Sequence, residues 1–524
     1  MNKYSSFNNH NRIRNSSVNA ITGLINNIIS LLMSFVFRTV FIKILTEQYL
    51  GINGLFANIL NLLSFAELGI GTCITYRLYK PISQDDPVRV AMLMDFYKKI
   101  YRIIALLVLV IGLCLMPLIK FFIKDLNEIP ADVNLYFVYF LFLLNNVTSY
   151  FFNYRLNLTI ADQKSYKNNI FNVIKILLLN AVKMIVLVLS KNFTLILIVE
   201  ISLQLTLNFV YSLLVKRQYS FVFDLKQKLD KETQKAILKD TTGMLSYKIG
   251  DALSISIDNL LLSSFIGITI VGIYSNYSMI VTAVCLLLGQ ILGAGTASLG
   301  NLKQTSDVKY YQKIYEHLHF INLWLASCAM ICFYVLINPF ITVWLGEKFL
   351  FDKWVVAAIS VSTFCSQIRH INYAIIDTTG LFTKQKWRPI IEQVINVIAS
   401  IILVKFIGVS GLFIGTIISR LVLQMWMEPC LIYKTQFNKK PIKYFIKLGF
   451  FTIFTLVVGY GLGELMSLMR NSIGLVILKF AITMTIPSIL LAILLFWTDD
   501  FKYFWTLICR VCRRIKRIFS KKKY

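Results

Sequence analysis

About a dozen ionisable residues stand inside long apolar stretches of this chain, among them Arg38, Glu67, Lys175, Lys183, Glu200, Asp251, Asp258, Arg369, Asp377, Glu392, Arg420 and Glu428. A central Arg, Lys or Asp costs roughly 2.5–3.5 kcal/mol on membrane-insertion scales, so each needs a reason. The plainer reason is that opposite charges pair between packed helices. The chemical one is a polar path through a bilayer, and the spacing favours it. Asn27, Ser30, Ser34 and Arg38 follow steps of three and four, and Asn168, Asn172, Lys175 and Lys183 share one broad helical face. Asp251, Ser254 and Asp258 align, as do Ser366, Arg369, His370, Tyr373 and Asp377, and then Thr416, Arg420 and Gln424. Continuous hydrophilic faces at membrane depth line water-filled cavities, which an isolated salt bridge does not require. Arg38, Lys175, Lys183, Arg369 and Arg420 are the candidate substrate-binding residues. A ring of cations suits a multiply anionic passenger, and guanidinium grips phosphate bidentately. Asp251, Asp258 and Glu392 are the candidate ion-coupling carboxylates, with Na+ or H+ as the ion. No catalytic residue and no metal or other cofactor is expected.

The elements that must carry these residues follow from composition. Of 524 residues 57% are hydrophobic and only 15% charged, with mean hydropathy +0.66. Soluble domains are about half apolar and a quarter charged, so an all-α polytopic membrane protein is expected. At about 20 apolar residues per crossing there are about fourteen spans. They lie near 18–44, 50–78, 103–122, 133–157, 167–190, 193–215, 243–266, 269–296, 317–345, 354–382, 389–408, 410–433, 446–468 and 473–496. With the N-terminus inside, forty of the 54 Lys and Arg fall in cytoplasmic segments, eight in the opposite loops and six within spans. That asymmetry is the positive-inside pattern, and it predicts a multi-pass protein with both termini cytoplasmic. Basic loops facing anionic lipid account for the net charge of +28, so membrane lipid rather than nucleic acid is the expected partner. The tail RVCRRIKRIFSKKKY reads as a membrane-surface anchor. The first apolar run is too long for a signal-peptide core and is expected to stay as the first span.

Other chemistries find little support. Cys509 and Cys512 form a lone CxxC, and His317 and His319, two apart, point to opposite sides of a helix and cannot share a metal. No GxxxxGK[ST] loop is present, and Asp85-Asp86 reads as a cap for a helix beginning at Pro87. The outward loops are too short to house a catalytic domain, so transport is favoured over enzymatic activity. A faint repeat agrees: LGINGLFANIL (50–60) echoes VGIYSNYSMIV (271–281), and GIGT (69–72) echoes GAGT (293–296), at offsets of 221 and 224. Two six-helix lobes are expected, 18–216 and 243–434, joined by a basic linker, 217–242. Two further spans (435–496) and the basic tail (497–524) follow, and 1–17 is a cytoplasmic N-terminus.

Three blocks carry a resemblance to a known family: FAELGIGTCITYRLYKPISQDD (65–86), SIDNLLLSSFIGITIVGIYSNYSMI (256–280) and RPIIEQVINVIASIILVKFIGVSGLFIGTIIS (388–419). They resemble the Wzx-type flippases of the polysaccharide-transport branch of the MOP superfamily, in versions found in capsule gene clusters of Gram-positive bacteria. The resemblance implies a MATE-like fold, two six-helix lobes around a central cationic cavity. It also implies alternating access, by which undecaprenyl-pyrophosphate-linked oligosaccharide units cross a bacterial plasma membrane for capsule or other cell-surface polysaccharide. A glycan polymerase and other assembly proteins are the implied partners. A small-cation or multidrug exporter of the same fold, and less readily a membrane-bound glycosyltransferase or polymerase, are the alternatives. Glu67 is expected to pair with Arg38 or Lys175 across a helix interface.

Overall fold

The computed structural model describes residues 12–225 and 229–520; the side chains of Glu67, Asp251 and Cys512 lie outside the described residues. The pairing expected of Glu67 and the ion-coupling role of Asp251 therefore stay expectations. Among the described residues every regular element is a helix. The helices group into two compact units, Met1–Ser275 and Asn276–Tyr524. The first holds α1 (Arg12–Ile44), α2 (Glu47–Leu63), α3 (Phe65–Ser83), α4 (Pro87–Leu115), α5 (Leu135–Ala161), α6 (Ser165–Ser190), α7 (Phe193–Gln218), α8 (Lys231–Phe265) and the first turns of α9 (Ile268–Thr305). The second continues α9 and adds α10 (Val308–Trp344), α11 (Lys353–Ile368), α12 (His370–Thr379), α13 (Arg388–Ile407), α14 (Val409–Phe437), α15 (Ile442–Ser467), α16 (Ile473–Leu495) and α17 (Asp499–Ser520).

Each of the fourteen predicted spans falls on helix, and eleven helices among the described residues are long and apolar enough to cross a membrane. The other three spans show why length alone misleads. Span 50–78 breaks at Ser64 into helices of 17 and 19 residues, and span 354–382 breaks at Arg369 into helices of 16 and 10. Span 243–266 lies within the 35-residue α8, whose sequence there carries Lys248, Asp251 and Asp258. A helix broken in an apolar layer releases backbone carbonyls that water cannot reach. Asn322 of α10 donates to the carbonyls of Gln367 and Ile368 at 3.0 and 2.9 Å, and Asn146 of α5 reaches the Leu60 carbonyl and the Ser64 hydroxyl at 3.4 and 3.0 Å. The capping at Asp86 is as read: its carboxylate accepts from the Arg89 amide at 2.9 Å with Pro87 opening α4.

The first unit packs around large aromatics, Phe56, Tyr97 and Tyr139 among them, each fully buried. Within it α2 and α9 cross backbone to backbone. A methyl on Gly51 would strike the Ile268 carbonyl oxygen, and one on Gly272 would strike that of Glu47. The two contacts, Gly51 with Ile268 and Gly272 with Glu47, are reciprocal, since the 221-residue offset of the sequence repeat relates 47 to 268 and 51 to 272. In the second unit α10 is the most enclosed helix, wrapped by α11, α15 and α16.

Candidate functional site

In the second unit four charges converge where three elements meet. Arg369 stands at the break between α11 and α12, Arg388 opens α13 with Glu392 one turn on, and Glu428 projects from α14. Arg369 Nε lies 2.9 Å from Glu428 Oε1, and Arg388 Nη2 lies 3.1 Å from the same oxygen. Arg388 Nη1 pairs with Glu392 Oε2. The Gln424 amide, oriented to satisfy both its ends, donates to Glu392 Oε1 at 3.2 Å and accepts from Arg369 Nε at 2.6 Å. Arg388, Glu392 and Glu428 are 3%, 5% and 1% exposed. Two guanidiniums and two carboxylates thus form a neutral group, the form in which charge is tolerated in an apolar interior, although Arg388 Nε makes no hydrogen bond there.

Arg420 lies beside that group, within electrostatic reach of Glu392 but not in ion-pair contact with it. It begins a π-helical turn (Arg420–Gln424) within α14 and donates from Nη1 to the carbonyl and hydroxyl oxygens of Ser362 at 2.5 and 3.1 Å. No described carboxylate lies within ion-pair distance of it, and a guanidinium has five N–H donors. π-turns recur at functional sites because they turn a side chain out of helical register. Arg420 lies within electrostatic reach of Cys285, which with Val281, Thr282, Leu286, Gly289, Gln290 and His370 lines a cavity of about 400 Å³. The polar part of that wall is amide, hydroxyl, thiol and imidazole.

In the first unit the predicted cations have different fates. Lys183 Nζ lies 2.8 Å from Glu200 of α7 and 4.3 Å over the Phe37 ring, so its charge is answered. Lys175 meets the Asn208 carbonyl oxygen at 3.5 Å and has no described carboxylate partner. Arg38 donates to the Ser275 hydroxyl at 2.5 Å. Much of the polar face of α6 holds α1: Asn172 bonds Asn26 at 2.9 Å, Asn169 bonds Thr22 at 3.1 Å, and the Tyr166 amide donates to Asn19 at 2.7 Å. Asp258 is half-buried on α8.

The structure therefore brings Arg369, Arg420 and Glu392 into one unit and Arg38, Lys175, Lys183 and Asp258 into the other. Glu392, expected to carry an ion, is engaged by Arg388 and Gln424. Arg388 falls just outside the predicted span 389–408, although its spacing of four from Glu392 is the signal of a pair on one helix face. Gln424 was read only as part of a stripe. Among the described residues no group of three or more His, Cys, Asp or Glu could hold a metal ion.

A sequence profile described as polysaccharide biosynthesis protein matches residues 14–296, more than half of the chain. Among curated proteins none matches the chain in sequence. The structure is similar to that of the lipid II flippase MurJ in an inward closed conformation, with TM-score 0.61, 14% identity, 91% of this chain and 99% of that one. It is also similar to the Vibrio cholerae MATE transporter VcmN, with TM-score 0.57, 13% identity, and 81% and 98% covered. An inward-facing multidrug resistance MATE transporter of the MOP superfamily matches with TM-score 0.56, 15% identity, and 77% and 95% covered. At these identities the likeness shows the fold, which is that of the MOP superfamily.

Proposed function

The chain belongs to the polysaccharide biosynthesis protein family, and from that premise we propose that it flips undecaprenyl-pyrophosphate-linked oligosaccharide units to the outer leaflet of a bacterial plasma membrane. The coarser statement, a multi-pass membrane protein of flippase or transporter type, rests on the family and the fold together. The observation that carries the finer reading is the charge difference within the second unit. Arg369 and Arg388 are neutralised by Glu392 and Glu428, and Arg420 is left with unused donors near a partly polar cavity.

Such an arrangement divides the work of holding an amphiphilic anion. A diphosphate needs a cation with several donors, which Arg420 supplies. Sugar hydroxyls need partners that both donate and accept, which Thr282, Gln290 and His370 offer. Without such partners, each hydroxyl crossing hydrocarbon would cost several kcal/mol. The polyprenyl tail stays in lipid throughout. In the first unit Lys175, which has no described carboxylate partner, is a second candidate cation for phosphate. Outward movement of the diphosphate is helped by an inside-negative potential, by about 2.3 kcal/mol per charge per 100 mV. Exchange against Na+ or H+ is the second drive, with Asp251, Asp258 and Glu392 as its carboxylates. The flipped unit then feeds a polymerising or ligating reaction that builds capsule or another surface glycan.

Purified protein in liposomes, offered a labelled undecaprenyl-pyrophosphate oligosaccharide and a cationic dye in parallel, tests this reading. Movement of the glycolipid alone is expected. Movement of the dye alone would replace the flippase by a cation exporter of the same fold.

A further inference from the structure

The helix α17 takes no part in holding the passenger, yet it is the most basic stretch of the chain. Its first turns are fastened to the second unit. Asp500 Oδ1 lies 2.7 Å from His317 Nδ1 on α10, and Asp500 Oδ2 accepts from Lys447 Nζ on α15 at 2.5 Å. Tyr503 stacks on His317 at 4.4 Å, and Phe501 and Phe504 lie against Trp324 at 5.8 and 5.4 Å. These contacts fix where the helix starts and which way it points.

Further along, two large apolar side chains face outward: Trp505 is 57% and Ile508 37% exposed. At helical spacing Arg510 and Arg513 fall away from the Trp505 and Ile508 side, and the sequence beyond them adds Arg514, Lys516 and Arg517. From Arg510 to Lys523 there are eight cations and no carboxylate. So charged a helix cannot cross a bilayer, and it does not count among the apolar ones. Exposed apolar side chains that include an aromatic, followed by a dense run of cations, are the pattern of a helix lying in the headgroup plane.

We propose that α17 is a docking surface for anionic lipid on the leaflet where α16 ends, with Trp505 and Ile508 at the acyl boundary and the Arg and Lys side chains against lipid phosphates. Charge complementarity selects this occupant, because a cationic helix that begins at the end of a membrane-crossing segment meets headgroups before any other polyanion. Through Asp500 the docked helix bears on His317 and Lys447, so the lipid composition of that leaflet acts on α10 and α15.

The test uses the full chain in nanodiscs of phosphatidylcholine alone and of phosphatidylcholine with phosphatidylglycerol. Chymotryptic cleavage after Trp505 is followed by mass spectrometry. Cleavage is expected to be about tenfold slower in the anionic discs, because docking protects the helix from local opening. That protection should fade as salt is raised, because exposed charges are screened. Replacing Arg510, Arg513, Arg514, Lys516 and Arg517 by Gln should bring cleavage in anionic discs to the neutral-disc rate. Equal cleavage of the unmodified chain in both lipids overturns the proposal. So does protection in neutral discs that survives the Gln substitutions, which would mean that the helix packs on the protein alone. Protection that appears only on adding RNA or an acidic polypeptide would overturn it in favour of a macromolecular partner.

Discussion

Replacing Glu428 by Gln leaves two guanidiniums, the buried Arg388 and the half-buried Arg369, with Glu392 as the one remaining carboxylate of their group. The substitution keeps the shape of the side chain and removes only its charge, so packing changes little. Removing one partner of a buried pair costs about 3–5 kcal/mol, since the surviving charge stays desolvated. Glu428 is 1% exposed and meets both cations, at 2.9 and 3.1 Å, which puts the expected loss in that range rather than in the surface range below 1 kcal/mol. For a unit of this size about 2–4 °C of melting temperature follows each kcal/mol, so the variant should melt roughly 6–20 °C lower. Intrinsic tryptophan fluorescence of the detergent-purified protein reads the midpoint. A second substitution, Arg388→Gln, restores neutrality, and the double variant should melt higher than Glu428→Gln alone, a coupling opposite to additive losses. A melting point unchanged by Glu428→Gln, or a double variant lower by the sum of both losses, would refute the neutral group.

Asn322→Ala should destabilise by about 1–3 kcal/mol for each carbonyl left without a donor, those of Gln367 and Ile368, measured by the same melt; no change would mean that other donors reach the helix break. Gly51→Ala and Gly272→Ala should cost similar amounts, about 1–3 kcal/mol each, because equivalent methyls meet equivalent backbone carbonyls; a large effect at one glycine only would contradict the reciprocal contact. Burial alone would raise the Asp500 carboxyl, but hydrogen bonds from His317 and Lys447 outweigh it and hold the group below the ordinary carboxylate range. Its contribution is therefore fully present above the unfolded-state value of about 3.9 and is lost as pH falls further, through the folded-state value. Peptic release of α17 should accelerate only in that acid window, and Asp500→Asn should release it at all pH values tested.

The sequence made the helices legible because hydropathy over twenty residues is a strong, local signal. It did not show the breaks at Ser64 and Arg369, where a window averages across the interruption and the satisfying amides, Asn146 and Asn322, come from distant helices. Polar stripes gave the right residues but not their uses. The stripe on α6 reads as cavity lining, yet Asn169 and Asn172 bind α1, and Lys183 finds Glu200 on the next helix. Depth and periodicity report which side chains are polar, not which of them a neighbour has neutralised. Arg388 was hidden for the opposite reason, since its place near a span end made it look like a topology signal. His317 and His319 were rightly kept apart, and His317 meets Asp500, 183 residues away, a pairing no spacing rule could supply.

Transport by Arg420→Ala, beside the unmodified protein and Arg420→Lys in liposomes with labelled undecaprenyl-pyrophosphate oligosaccharide, tests the central claim most directly. If Arg420 is the unanswered cation that takes the diphosphate, Arg420→Ala loses most of its flux without a lower melting point, and Arg420→Lys recovers part of it. Full flux in Arg420→Ala, with melting unchanged, would remove the diphosphate from this site and with it the cationic basis of the assignment.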